Sequence, residues 1–281
     1  MMTIAAAPDT LADIPTAAEF LADARSTRAD DGTELRWFSH GSGETVLLLQ
    51  GQATSALGWE PVARRLAADF HVIRLEQRGI AGSETGDPDL LTTRLLASDA
   101  RAVLDAAGVE TAHVVGHSMG GKVAQWVAID APERVKSLSL IATSLGERDE
   151  QPRDTDAYRL LYGGTRADRS ALFFHDAWAQ QHTVAVQRFF DIDGARATLR
   201  ALSRASSSHD TTEQATRITA PTLVLHGDGD RLIPLGSAER LAAAISEADF
   251  RVFEDQLHGL HLESDAAITL VHDFIAANAT D

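Results

Sequence analysis

The chain of 281 residues contains no cysteine, which excludes disulfides, thiolate nucleophiles and cysteine-ligated zinc or iron–sulfur centres together. Lysine stands only at Lys122 and Lys136, and the formal net charge is -16. The clustered cations that displace counterions from a phosphate backbone are missing, so no nucleic acid is expected as a partner. No uninterrupted apolar run is long enough to cross a bilayer, and Met1 to Asp9 lacks the basic-then-apolar order of a secretory signal. These absences give the expectation of a cytoplasmic protein with no membrane partner. Internal repeats and low-complexity tracts are absent as well.

What is present is a 44% hydrophobic content, ample for a core, distributed in short apolar runs that alternate with amphipathic stretches. Such a rhythm predicts a largely parallel sheet covered by helices on both faces. Two antiparallel-looking segments open it, Arg25 to Arg28 and Glu34 to Phe38, joined by Asp30-Asp31-Gly32. Buried strands follow at Val46 to Leu49, Phe70 to Leu75 and Thr111 to Val115, with a long amphipathic helix at Leu90 to Ala107 stopped by Gly108. After a strand at Val135 to Ile141 the alternation breaks. Residues 145–217 read as helices carrying many aromatic residues, and are expected to form a cap inserted into a core made of 25–144 and 218–281. Residues 1–24 form an Ala-rich extension of unassigned use with a helix from Ala17 to Ala24.

Gly116-His117-Ser118-Met119-Gly120-Gly121 stands between a buried strand and the helix-forming Lys122 to Ala128. A serine placed there sits on a sharp turn that tolerates only glycine two residues before and after it, so its hydroxyl stands clear of the backbone. The helix behind it offers unpaired N–H groups and a positive dipole end to developing negative charge. A serine hydroxyl still needs a base, ordinarily a histidine oriented by a carboxylate. Downstream, His226-Gly227-Asp228-Gly229-Asp230 ends a strand with two competing acids, and Glu147 after the strand at Val135 to Ile141 is a further alternative. His258 and His261 follow the last strand. The order serine, acid, histidine is the one found on strand-turn-helix nucleophiles of parallel sheets.

The segments Gly116 to Gly121, His226 to Pro234 and His258 to Glu263 resemble the α/β-hydrolase superfamily, and within it the cofactor-free haloperoxidase and esterase branch. The resemblance covers Arg25 to the C-terminus. It implies a mostly parallel eight-stranded α/β sheet with a helical cap, a catalytic acid at Asp230 with Asp228 as a turn residue, and a catalytic histidine at His258 with His261 as its neighbour. By position it also implies an oxyanion hole from the backbone N–H groups of Gln52 and Met119. The family's usual His-Gly in that loop reads Gln50-Gly51 here. That change weakens the expected buttressing of the loop and would add an amide to the pocket.

The expected chemistry is therefore that of a serine hydrolase acting on an ester, lactone or related carbonyl bond of a small, largely apolar molecule. No metal and no organic cofactor is expected. The substrate pocket is expected to draw on Gln50, Trp59 and the cap aromatics Phe173, Phe174 and Trp178. Carbon–carbon bond hydrolysis, perhydrolysis and cofactor-free ring-cleaving oxygenation are compatible with the same serine, and a ligand-binding receptor with an idle triad is the alternative from outside catalysis. Arg78-Gly79 is assigned a structural turn, and the His258 and His261 pair lacks a third ligand at metal spacing.

Overall fold

In the computed structural model, which describes residues 11, 13–52, 54–146 and 154–279, eight strands make one sheet in the order β1-β2-β4-β3-β5-β6-β7-β8. They are β1 Arg25–Arg28, β2 Glu34–His40, β3 Thr45–Leu49, β4 His71–Leu75, β5 Ala112–His117, β6 Val135–Ile141, β7 Thr222–Gly227 and β8 Asp249–Phe253. The first two strands pair antiparallel with each other, β2 pairs antiparallel with β4, and every later pairing is parallel. Side chains alternate across a strand. In β3 the alternation sends Leu47 and Leu49 into one apolar layer and Val46 and Leu48 into the other, so both sheet faces are buried.

A short helix, α1 Ala17–Ala22, precedes the sheet, and Thr16 closes its start with a capping box to Glu19. It is shorter than the expected span to Ala24. On one face of the sheet lie α3 Thr93–Ala106 and α4 Met119–Asp130; α2 Glu60–Leu66 contributes Val62, Ala63 and Leu66 to the other layer. The α3 helix begins three residues later than its apolar pattern alone indicates, because Thr92 caps it by accepting from Leu95 N–H. At its other end Gly108 adopts φ +69°, a left-handed stop. Arg78 is sequestered under this layer, bidentate to Asp99 at 2.7 Å on each arm and bonded to Asp31 and Thr33. Its side chain is a structural clamp between α3 and the β1–β2 turn, a role beyond the turn expected at Arg78-Gly79.

Between β6 and β7 the described chain forms five helices: α5 Thr155–Gly163, α6 Arg166–Phe173, α7 Asp176–Gln181, α8 Thr183–Phe189 and α9 Arg196–Ser207. Phe173, Phe174, Phe189 and Phe190 from this cap join the apolar layer that also holds Val62 and Leu66 of α2. Glu147 lies outside the described residues. After β7 come α10 Leu235–Ala244, α11 Leu260–Glu263 and α12 Asp265–Ala277. His261, which follows the last strand in sequence, lies on the short helix α11.

The N-terminal extension has a position of its own. Ile14 and Phe20 are buried in a small apolar cluster with Phe38 of β2, Ala56, Leu57 and Ala185 of α8, against which Leu11 and Trp178 also pack. Phe20 stacks on Phe38 at 3.9 Å and covers the buried guanidinium of Arg74 at 4.9 Å. The extension therefore touches sheet and cap at once. Among the described residues no helix is long and apolar enough to cross a membrane.

Candidate active site

The end of β5 is built to expose one hydroxyl. Ser118 takes φ 54°, ψ -121°, a backbone conformation that costs roughly 1–3 kcal/mol for a residue with a side chain. Its surroundings enforce it: a Cβ on Gly116 would lie 2.4 Å from the Gly120 carbonyl oxygen, and one on Gly120 would lie 2.0 Å from that of Leu49. The two glycines are required because the turn is pressed between β3 and the start of α4. Thr143 donates to the Ser118 carbonyl at 2.7 Å, and Ser118 N–H donates to Ile141. Ser118 itself is half-buried.

The ends of β7 and β8 bring the partners. Ser118 Oγ is 2.9 Å from His258 Nε2, and His258 Nδ1 is 2.6 Å from Asp230 Oδ2. The other carboxylate oxygen of Asp230 accepts from Leu232 N–H at 2.8 Å and Ile233 N–H at 3.0 Å. Burial alone would raise this carboxyl, but the neighbouring imidazoles and the backbone donor outweigh it, and Asp230 is held below the usual carboxylate range. An ionised Asp230 accepts a hydrogen bond from Nδ1–H of His258, which leaves Nε2 free to accept from the serine hydroxyl. Asp228 instead accepts from Asp255 N–H at 2.6 Å, as a turn residue does. His261 does not reach Ser118; it is buried against Trp59 at 4.7 Å and His117 at 4.0 Å between ring centroids. Burial first, and then the neighbouring imidazoles, push its pKa well below the usual histidine value.

The loop after β3 carries the second expected donor. The side-chain Nε2 of Gln77 donates to the carbonyls of Gln50 at 3.0 Å and Gly51 at 3.1 Å, and Thr54 Oγ1 donates to the carbonyl of Gly51 at 3.0 Å. In a trans peptide the N–H points opposite to the C=O. Fixing the Gly51 carbonyl therefore aims Gln52 N–H the other way. Among the described residues the backbone N–H groups of Gln52 and Met119 meet no protein acceptor. Gln77 and Thr54 were not singled out from the sequence; the one available signal was an amide two residues after β4, beside Arg78.

Two expectations about the pocket need correction. Gln50 spends its amide N–H on the Leu75 carbonyl at 2.8 Å and is 2% exposed, so it ties β3 to the end of β4 rather than offering a donor to a ligand. The loop is not left without support, because Gln77 supplies it. Of the aromatics, Phe173 meets the His258 ring edge-to-face at 4.9 Å. Trp59 instead contacts His261 and His117, while Phe174 stacks on Trp178 at 4.9 Å and blocks any Cβ on Gly259. These three pack as core behind the site. From α5, Tyr162 Oη lies 3.4 Å from Gln52 Nε2, and Tyr158 Oη donates to the Leu232 carbonyl at 3.3 Å. Tyr162 and Tyr158 lie one helical turn apart on α5, spanning the two loops that flank Ser118. Among the described residues no group of three or more histidine, aspartate or glutamate side chains is placed to hold a metal ion.

The alpha/beta hydrolase fold model matches residues 44–160 and 148–265. The chain belongs to the alpha/beta hydrolase family. It is 31% identical to a 2-hydroxy-6-oxononadienedioate/2-hydroxy-6-oxononatrienedioate hydrolase of Paraburkholderia phymatum over 80% of this chain and 85% of that protein. It is 32% identical to the putative carbamate hydrolase RutD of Variovorax paradoxus over 82% of this chain and 90% of that protein. The enol-lactonase of Burkholderia xenovorans shares its fold, with a TM-score of 0.76 at 24% identity over 90% of this chain and 100% of that one.

Proposed function

We propose that this alpha/beta hydrolase uses Ser118 as nucleophile, His258 as general base and then acid, and Asp230 to orient the imidazole, cleaving an ester, lactone or related carbonyl bond of a small, largely apolar molecule. The observation that carries the reading is the continuous chain from Ser118 Oγ through His258 to Asp230, at 2.9 Å and 2.6 Å. Ser118 Oγ attacks the carbonyl carbon and gives its proton to His258 Nε2. The resulting oxyanion is stabilised by Gln52 N–H and Met119 N–H. His258 returns the proton to the leaving oxygen, the bond to the leaving group breaks, and a water activated by the same imidazole releases the acid and restores Ser118.

A second reading within the same site is favoured by the identity to the 2-hydroxy-6-oxononadienedioate hydrolase. A substrate so named contains no ester or amide, so its hydrolysis breaks a carbon–carbon bond beside a ketone. The carbamate hydrolase relative points instead to a heteroatom leaving group. Ser118→Ala tests the common core: it abolishes p-nitrophenyl ester turnover and fluorophosphonate labelling while the fold persists. A variant that still hydrolyses esters refutes the nucleophile, and wild-type silence toward both esters and 6-oxo-dienoates, with tight binding of an apolar ligand, supports a receptor.

A further inference from the structure

The residue next to the nucleophile has an unassigned task. His117 closes β5, is 1% exposed, and places Nε2 2.8 Å from the backbone carbonyl oxygen of His258. A carbonyl only accepts, so Nε2 carries the proton and donates it. The bond therefore joins two residues 141 positions apart in the chain, one adjacent to the nucleophile and the other supplying the base. It is made to the backbone of His258, leaving both ring nitrogens of that residue for Ser118 and Asp230.

The rest of the His117 ring is fixed by packing. Its centroid lies 4.0 Å from that of His261 and 4.9 Å from that of His258, and Trp59 and Phe173 stand at 6.5 Å. On the Nδ1 side a Cβ at Gly51 would lie 3.2 Å from that nitrogen, so the ring also rests against the loop that aims Gln52 N–H. His117 thus touches the nucleophile turn, the base and the oxyanion loop together.

We infer that His117 is a positioning residue, which holds the backbone of His258 at the height where Nε2 meets Ser118 Oγ and braces the Gly51 loop with the same ring. This rests on the proposed role of His258 for its catalytic consequence, although the geometry stands without it. A second charged imidazole beside His258 would oppose formation of the imidazolium, and His117 avoids that. Burial first, then the nearby His258, push its pKa down to about 3. The titratable groups that face or surround it are His258, His261, His226 and Asp230.

The test uses two variants of nearly equal length that differ in the donor, His117→Gln and His117→Met, together with 15N NMR of the histidine rings in the wild-type protein. The glutamine amide reaches as far as Nε2 and restores the bond; methionine fills the space without it. The expected result is a kcat for His117→Met lower by about 100-fold with KM within threefold, since misplacement of a catalytic group by about 1 Å has that effect. His117→Gln recovers most of the loss, and fluorophosphonate labelling rates follow kcat. The wild-type spectrum shows His117 as the neutral Nε2–H tautomer from pH 8 to pH 5.5. A folded His117→Met with kcat within threefold of wild type overturns the inference, as does a folded His117→Gln crippled as severely as the methionine variant. If neither variant folds, an Nδ1–H or charged His117 in the wild-type spectrum overturns it. Failure of the hydrolase reading is seen separately, as ester turnover that survives Ser118→Ala with the His117 tautomer unchanged.

Discussion

Replacing Asp230 by asparagine is the most searching perturbation of the proposed relay, because the structure dictates how the new side chain must sit. One carboxylate oxygen accepts from the backbone N–H groups of Leu232 and Ile233. An asparagine can satisfy both donors only with its carbonyl oxygen, which turns its NH2 toward His258 Nδ1 at the present 2.6 Å contact. Two donors cannot face each other, so Nδ1 gives up its proton and Nε2 acquires one. The imidazole then presents N–H to Ser118 and cannot take the hydroxyl proton. Backbone and packing change little, yet the base is in the wrong tautomer. The expected loss is about 10^4-fold in kcat, or about 5.4 kcal/mol at 1.36 kcal/mol per decade. Steady-state hydrolysis of p-nitrophenyl butyrate measures it, with thermal melting to confirm the fold and pH raised to deprotonate the hydroxyl directly, which should return part of the rate. An Asp230→Asn protein retaining a tenth or more of wild-type kcat at neutral pH would refute the reasoning.

Three further outcomes follow from other contacts. Gln77→Leu frees the carbonyls of Gln50 and Gly51 and lets the Gln52 N–H swing; kcat should fall by about 100-fold with little change in KM, and an unchanged kcat would show that Thr54 alone suffices. Gly120→Ala drives a methyl group to 2.0 Å from the Leu49 carbonyl oxygen, a backbone clash without a flexible neighbour, so denaturant unfolding should show a loss of at least about 3 kcal/mol or no soluble protein. Glu76 is buried with one oxygen bonded to Ala56 N–H and the other unpaired; burial, only partly offset by that donor and by Arg74, pushes its pKa up to about 8. A carboxyl raised in this way stabilises the fold fully below its ordinary value of 4.5, and that contribution is lost as pH rises toward 8. Glu76→Gln imitates the protonated form, so urea unfolding should show the variant gaining about 3 kcal/mol relative to wild type between pH 5 and pH 7.5. Parallel pH curves for the two proteins would contradict a protonated Glu76.

The sheet and the sharp turn that carries Ser118 were legible because both rest on local chemistry. Glycines flanking Ser118 at the end of an apolar strand have one economical backbone explanation, and apolar runs of strand length alternating with amphipathic stretches leave few topologies. The choice of Asp230 over Asp228 and of His258 over His261 came from resemblance; Asp230, His258 and Ser118 meet through contacts between loops after β7 and β8 that spacing alone does not encode. Gln50 misled because a substitution at a familiar position reads as altered specificity, whereas its amide is consumed by the Leu75 carbonyl. Phe174 and Trp178 misled for a different reason: an aromatic residue in a cap gives no sign of which face it occupies. Gln77, Thr54 and His117 act through backbone carbonyls, and bonds of that kind depend on where the chain passes rather than on residue pattern.

The wedge formed by Ile14 and Phe20 rests at once on Phe38 of the sheet edge and on Ala185 of α8. Separating α8 from the sheet edge would therefore uncover the apolar faces of Ile14 and Phe20 as well, so the leading stretch of polypeptide fastens the one to the other. A form beginning at Arg25 would keep every strand and the side chains of Ser118, Asp230 and His258, and would lose only that fastening.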